Sequence, residues 1–200
     1  MKFSIIIPAH NSSFFIEKAL KSVRSQTYKD YELIVICDAC TDSTFSVVSR
    51  YADISRITNF GNDGLARNAG LDIASGEYVL FMDDDDWWLH EYVLQQLADR
   101  LNETSLTDVL CFAFIWKGRG YTANTLGRIW PNVWSKCWRR EFIGDTRFTD
   151  VKMESDLYFT REMMAKITSN EQVDIWPMPL YYYNYMRPGS QTEIANRSEE

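Results

Sequence analysis

Residues 78–88 read YVLFMDDDDWW, an apolar run that ends in four consecutive aspartates and a tryptophan pair. Tyr78–Met82 has no polar break, as expected of a strand buried on both faces. Asp83, Asp84, Asp85 and Asp86 follow directly, so charge stands at the strand's carboxyl end. Four adjacent carboxylates repel one another, and a bare cluster is costly without a cation. Hard oxygen ligands suit magnesium or manganese rather than zinc. On an extended chain Asp83 and Asp85 point one way and Asp84 the other, so one face can hold a metal and the other a ligand hydroxyl. Read alone, the run could equally be a solvated acidic turn capping a helix near Leu89. The buried strand before it and Trp87-Trp88 after it favour a site.

Upstream, strands and helices alternate. Phe3–Ile7 is a buried strand broken by Pro8, and Ser12 or Ser13 can cap a helix carrying Ile16, Ala19, Leu20 and Val23 at helical spacing. Leu33–Ile36 is a second strand. Thr41 or Asp42 can cap a second helix with Phe45, Val48 and Tyr51 inside. Ile54–Thr58 is a third strand, and a third helix covers about Leu65–Ala74 and ends at Gly76. Such alternation implies right-handed crossovers and an α/β fold with a mostly parallel sheet flanked by helices. Ligands of these sheets sit beyond the carboxyl ends of the strands. Pro8–Asn11, Cys37–Asp42 and Asp83–Asp86 all fall there.

Downstream the pattern loosens. Val93, Leu97 and Leu101 mark a helix and Val109–Trp116 a strand. Residues 117–140 read as loop with several aromatics, Met153–Ile167 as a helix, and Val173–Trp176 and Pro179–Tyr185 as strands. With no linker, residues 1–190 are expected to form one domain. Its halves are 1–105 and 106–190, and 191–200 is expected to be a flexible tail.

Composition sets the outer limits. Two hundred residues, 46% hydrophobic and 14% aromatic, supply one substantial core. A net charge of −7 argues against gripping nucleic acid through its phosphates. The N-terminal apolar run is too short for a signal peptide or a membrane span, so a cytoplasmic location is expected. Cys37 and Cys40 form a CxxC between a strand and a helix, yet their surroundings carry stronger signals than redox chemistry.

Outside the aspartate run, Asp156 shares a helical stripe with Phe159, Met163 and Ile167, and an inward carboxylate must be satisfied or used. It could be a helix cap, a buried partner for an arginine such as Arg161, or a general base. Arg67, in GLARNAG, could meet phosphate or a carboxylate. Asp38 lies at the ligand-binding edge. His10 has no convincing Ser or Cys partner and reads as a loop residue. The tryptophans and tyrosines of 116–138 could stack on a sugar, with core packing the simpler reading for most.

Together these segments resemble the family 2 glycosyltransferases of the GT-A fold. FSIIIPAHNSSFFIEKALKSVRSQTYKDYELIVICDACTDST is similar to the family's opening strand, helix and second strand. GLARNAGLDIASGEYVLFMDDDDWW is similar to the approach to its DxD motif. WSKCWRREFI and SDLYFTREM resemble the acceptor region and the base-bearing helix, and YYYNYMRPGSQT the closing segment. The resemblance implies that Pro8, Ala9 and Asn11 line the donor pocket, that Asp38 contacts the nucleobase, and that Arg67 lies near base and phosphates. It implies that Asp83 and Asp84 bind around ribose and diphosphate, that Asp85 holds Mn2+ or Mg2+, and that Asp156 is the catalytic base. Arg187 and Ser190 would sit in a loop closing over the diphosphate. The chain departs from the family at Cys37-Asp38, where two acids are usual, and at Ser155-Asp156, where Glu-Asp is common. Glu154 is therefore a second candidate for the base.

The implied activity is inverting transfer of a sugar from a nucleotide-diphosphate sugar, of the UDP type, to a saccharide or lipid-linked saccharide, in surface-polysaccharide synthesis. No nucleic acid and no transmembrane segment are expected; a peripheral contact at the inner face of the membrane is compatible with this. The rivals are a sugar nucleotidyltransferase, a hydrolase with paired carboxylates and a catalytically idle nucleotide- or metal-binding module. The first would need a glycine-rich basic loop after the first strand, and Pro8–Ser13 is neither.

Overall fold

The computed structural model describes residues 1–104, 106–125 and 127–185. Arg187, Ser190 and the 191–200 tail lie outside the described residues. Strand β1 is Phe3–Ala9, followed by helix α1 Ile16–Arg24 and strand β2 Tyr31–Asp38. Helix α2 is Thr44–Val48, β3 Ile54–Thr58, α3 Asp63–Leu71 and β4 Tyr78–Phe81. The second half runs β5 Trp87–Trp88, α4 Val93–Glu103, β6 Val109–Trp116, β7 Gly120–Thr122, β8 Lys136–Arg139 and α5 Arg140–Ile143. It ends with α6 Ser155–Ala165, a 3-10 turn Asn170–Gln172 and β9 Val173–Tyr183.

The nine strands among the described residues join one sheet, ordered β3-β2-β1-β4-β8-β6-β9-β5, with β7 paired to β6. Pairing is parallel from β3 to β4, as the strand–helix alternation dictates. Beyond β4 the sheet is mixed: β8 lies antiparallel to both β4 and β6, and β6 is parallel to β9. β1 and β4 are buried along their whole length, so both faces must be covered. One core layer packs α1 and α4 residues such as Leu20 and Leu97 against Ile5, Leu80 and Leu110. The other packs Ala66, Phe148 and Phe159 against Ile6 and Phe81.

Close approach of backbones decides where α3 sits. A Cβ on Gly70 would come 2.4 Å from Ile6 Cγ2, and one on Gly64 would come 2.9 Å from both Ser155 Cβ and Thr149 O. Glycine therefore seats α3 on β1 at one end and beside α6 at the other. Asn68 completes the strap by donating to Phe148 O at 2.9 Å and accepting from Phe148 N at 2.8 Å.

Several local expectations are revised. Neither Ser12 nor Ser13 caps α1 with its side chain; the Ser12 carbonyl accepts from Phe15 N and Ile16 N instead. Asp42 does accept from Thr44 N, at 3.0 Å, but α2 is only five residues long, and Phe45 is exposed. Asn62 caps α3 through Leu65 N at 3.0 Å, which starts that helix two residues early. The stretch 117–140 holds β7 and β8; Lys136 and Arg139 hid β8 because charged residues rarely start and end a buried strand. The two expected strands at 173–185 are one strand with a register shift opposite Phe112–Phe114, where Pro177 and Pro179 have no N–H to donate.

Candidate active site

A cavity of about 940 Å³ opens at the carboxyl ends of β1, β2 and β4, within the size range of small-ligand sites. Pro8, Ala9, Asn11, Asp38, Arg67, Asp83, Asp84, Asp85 and Asp156 all line it. Topology explains the convergence: parallel neighbouring strands must end on the same edge.

Its charge centre is Arg67. Helix α3 presents this side chain from below the cavity, where it is 3% exposed. Nη1 pairs with Asp63, one helical turn back, and lies 3.2 Å from Asp156 Oδ1; Nη2 donates to Asp83 Oδ1 at 2.8 Å. The Phe148 ring lies 5.5 Å from the guanidinium carbon. One cation thus ties the acidic strand tip to helix α6, and Asp63 had no place in the sequence reading. The signal for it was its i,i+4 spacing to Arg67. Asp156 faces Arg67, whereas Arg161 is exposed.

The four aspartates divide their work. Burial pushes the Asp83 carboxyl up to about 7, with Arg67 pulling against it and Asp156 and Asp85 adding to it. Asp84 accepts from His10 N at 3.1 Å. Asp86 is fully buried and points away from the cavity: it accepts from Tyr181 Oη at 2.7 Å and Asn184 N at 2.8 Å. Tyr181 Oη in turn accepts from Asp83 N at 3.1 Å, so Asp86 moors the acidic loop to β9. Burial raises the Asp86 carboxyl well above the carboxylate range. The solvated helix-cap reading fails on this residue and on α4, which starts only at Val93.

Asp156 begins α6. Its Oδ2 accepts from Val133 N at 3.2 Å, while its buried Oδ1 accepts no hydrogen bond among the described residues. Burial raises its pKa. Glu154 is exposed and does not line the cavity.

On the β1–β2 side the polar groups serve the loops. Asp38 accepts from Thr58 Oγ1 at 2.9 Å, Phe60 N at 2.6 Å and Asn62 N at 2.9 Å, which fixes the entry into α3. Asn11, in the left-handed region at φ 46°, accepts from Thr41 N at 2.8 Å. His10 Nδ1 lies 2.7 Å from the Asp38 carbonyl, which can only accept, so Nδ1 carries the proton and Nε2 is left to accept from Asn11 Nδ2 at 3.3 Å. All four cysteines are free; Cys40 Sγ donates to Ala9 O at 3.3 Å.

Across the cavity stands an aromatic wall from β6, the 130–134 loop and β9. Trp134 stacks on Tyr181 with ring centres 4.7 Å apart, and Trp116 meets Trp130 edge to face at 5.8 Å. Trp116, Trp130, Trp134 and Tyr183 all border the cavity. The arrangement puts carboxylates and the buried Arg67 on one side of the cavity and stacking surfaces on the other.

Comparison with known proteins agrees. A poly(ribitol-phosphate) beta-N-acetylglucosaminyltransferase, TarS of Staphylococcus aureus, is 30% identical over 222 residues, a match that takes in all of this chain and 38% of that protein. A GalNAc(5)-diNAcBac-PP-undecaprenol beta-1,3-glucosyltransferase of Campylobacter jejuni is 42% identical over 109 residues, 51% of this chain and 35% of the relative. The chain thus spans well under half the length of these curated relatives. The crystal structure of Staphylococcus aureus TarS 1–349 in complex with UDP-GlcNAc superposes with a TM-score of 0.81 at 27% identity, covering 96% of this chain and 61% of that one. Residues 4–175 match the model of glycosyl transferase family 2, and the chain belongs to that family.

Proposed function

We propose that the chain transfers a sugar, with inversion, from a nucleoside-diphosphate donor of the UDP type to a hydroxyl of a saccharide or lipid-linked saccharide acceptor used in surface-polymer synthesis. The observation that carries this is the Arg67 bridge, which ties the acidic tip of β4 to the Asp156 carboxylate at the wall of one cavity. Residues 1–105 supply the donor side in this reading and 106–190 the acceptor side.

The donor set fits a hard divalent ion. Asp83, Asp84 and Asp85 all line the cavity, and burial, with Asp156 and Asp85 adding to it, lifts Asp83, a cost that a nearby cation would relieve. Among the described residues no three His, Cys, Asp or Glu side chains enclose an ion by themselves. Magnesium and manganese are commonly held by one or two carboxylates with phosphate and water completing the shell. Asp85 is the assigned ligand, and a bound ion would neutralise the leaving diphosphate as a Lewis acid.

The chain's own groups do the rest. The Asp156 carboxylate takes the proton from the acceptor hydroxyl as the hydroxyl oxygen bonds to the anomeric carbon, and the bond from that carbon to the diphosphate oxygen breaks. Val133 N–H holds one carboxylate oxygen and Arg67 Nη1 lies 3.2 Å from the other, so the carboxylate is fixed in orientation at the cavity wall. With its guanidinium taken up by carboxylates, Arg67 is the tie that sets the distance between base and strand tip. Pro8, Ala9, Asn11 and Asp38 shape the nucleoside end, and the aromatic wall receives sugar rings.

The test is a panel of UDP-sugars with manganese, with and without saccharide acceptors, scored for nucleotide release and new glycoside. Transfer lost in Asp156→Asn with UDP still bound supports the assignment. Release without any acceptor dependence would indicate a hydrolase, and failure to bind UDP and manganese at millimolar concentration an idle module.

A further inference from the structure

A lysine ammonium taken fully out of water is costly unless every N–H is met, and it is usually met by a carboxylate. Lys136, the first residue of β8, is 0% exposed, and none of the ion pairs among the described residues includes it. Its three donors go instead to one short loop. Nζ donates to Trp130 O at 2.6 Å, to Asn132 O, and to Asn132 Oδ1 at 3.4 Å. The carbonyl between these two, Pro131 O, faces the other way and accepts from Thr160 Oγ1 of α6 at 2.6 Å. Trp130 N donates to the buried Asn124 Oδ1 at 2.8 Å. The next amide along, Val133 N, is the one that holds Asp156.

Trp130, Pro131 and Asn132 border the cavity, so this loop is the part of the acceptor-side wall that touches Asp156 directly. Its backbone alternates between a buried ammonium on one side and α6 on the other, and its end grips the carboxylate. We propose that Lys136 is a positioning residue for transfer: its ammonium straps the 130–132 carbonyls so that this wall and Asp156 keep a fixed relation to the acceptor. The inference rests on the transferase reading of the same cavity. Lys136 itself touches no reacting atom. Burial lowers its pKa to about 8, in keeping with an ammonium met by neutral oxygens alone.

The substitution to make is Lys136→Met, which keeps length and apolar bulk and removes all three donors; Thr160→Val loosens the same loop from the α6 side without touching a charge. Hydrogen exchange is read on peptides spanning 128–135 and, as the control, 33–37 in β2. The expected result is at least tenfold faster exchange in 128–135 for Lys136→Met with β2 unchanged. In acceptor-saturation kinetics both variants should lose at least tenfold in kcat/KM for the acceptor, with UDP affinity in manganese, measured by calorimetry, within about twofold of the parent. The double variant should lose less than the product of the two, because both act through one loop. Unchanged exchange in 128–135 would overturn the strap. Faster exchange with acceptor kinetics within twofold of the parent would overturn the positioning role. If Lys136→Met does not fold, Thr160→Val alone decides both points by the same measurements. A parent protein that transfers no sugar sinks the transferase reading and the positioning role with it, while the exchange data still decide the strap.

Discussion

The Asp83 carboxyl offers a quantitative test of the site because burial makes its charge costly. Burial and its acidic neighbours lift it to about 7, against about 4 in an unfolded chain. The folded state therefore holds this proton more tightly than the unfolded chain. Its contribution to stability is complete below about pH 4 and falls away as pH rises to about 7. Between about pH 5.5 and 7.5 the loss integrates to about 2 kcal/mol. The side chain is 29% exposed, and solvent screening brings the expectation nearer to about 1 kcal/mol. For a chain of this length that is a fall of about 2–4 °C in Tm. The assay is a thermal scan in a chelator across that range, parent against Asp83→Asn, with the difference isolating this group from every other titration. The variant should already exceed the parent near pH 5.5, exceed it by about 1 kcal/mol more near pH 7.5, and match it only below about pH 4. Manganese with UDP should reverse the parent's slope, because it binds the ionised carboxylates. A ligand at a hundredfold excess over Kd adds about 2.7 kcal/mol at the high-pH end. Parallel Tm profiles for parent and Asp83→Asn would refute the reasoning, since they would mean that Asp83 titrates as it does in the unfolded chain.

Further outcomes follow from the same geometry. Asp156→Asn should lower kcat by about 10²–10⁴-fold with UDP binding retained, measured by product formation and calorimetry. Because burial raises Asp156, the acid limb of kcat/KM should lie above that of an ordinary aspartate and vanish in that variant; a flat profile in the parent would count against the base assignment. Arg67→Met leaves Asp63, Asp83 and Asp156 without their cation and should cost about 3–5 kcal/mol near neutral pH by chemical denaturation, less at pH 5.5. Gly64→Ala drives a methyl against Ser155 and the Thr149 carbonyl and should cost about 1–3 kcal/mol while lowering kcat, because the helix that carries Arg67 and the one that carries Asp156 are forced apart.

Much of this was legible before any coordinates, for physical reasons that differ between the two halves. From Phe3 to Phe81 the strands β1, β2 and β4 are buried on both faces and α1 is amphipathic, so periodicity separates them, and parallel topology then forces Pro8, Asp38 and the aspartates to one edge. The second half is built from strands that do not look like strands. β8 begins with a lysine whose burial makes sense only once the 130–132 carbonyls are folded over it, and β9 contains two prolines that bulge it. The partition of the aspartates was equally hidden. Four identical residues in a row carry no sign that Asp86 will turn inward to Tyr181, 95 positions away, while Asp83 turns to Arg67.

That partition constrains how the site can act. If all four carboxylates faced the cavity, a single guanidinium could not hold the apoprotein together near neutral pH. With Asp86 withdrawn into the β9 contact, Asp84 met by a backbone amide and Asp83 shared with Arg67, the remaining acidity is small enough for one divalent ion to sit between it and an anionic diphosphate. The same arginine also reaches Asp156, so the distance between the strand tip and the base is set by one rigid planar group rather than by two independent loops. A lysine at position 67 would keep the charge and lose that geometry, because an ammonium cannot span two carboxylates with separate nitrogens. Arg67→Lys should therefore keep most of the stability that Arg67→Met loses, yet transfer sugar at a rate close to that of Arg67→Met; recovery of kcat alongside stability would show that charge alone, and not the bridge, is what the site requires.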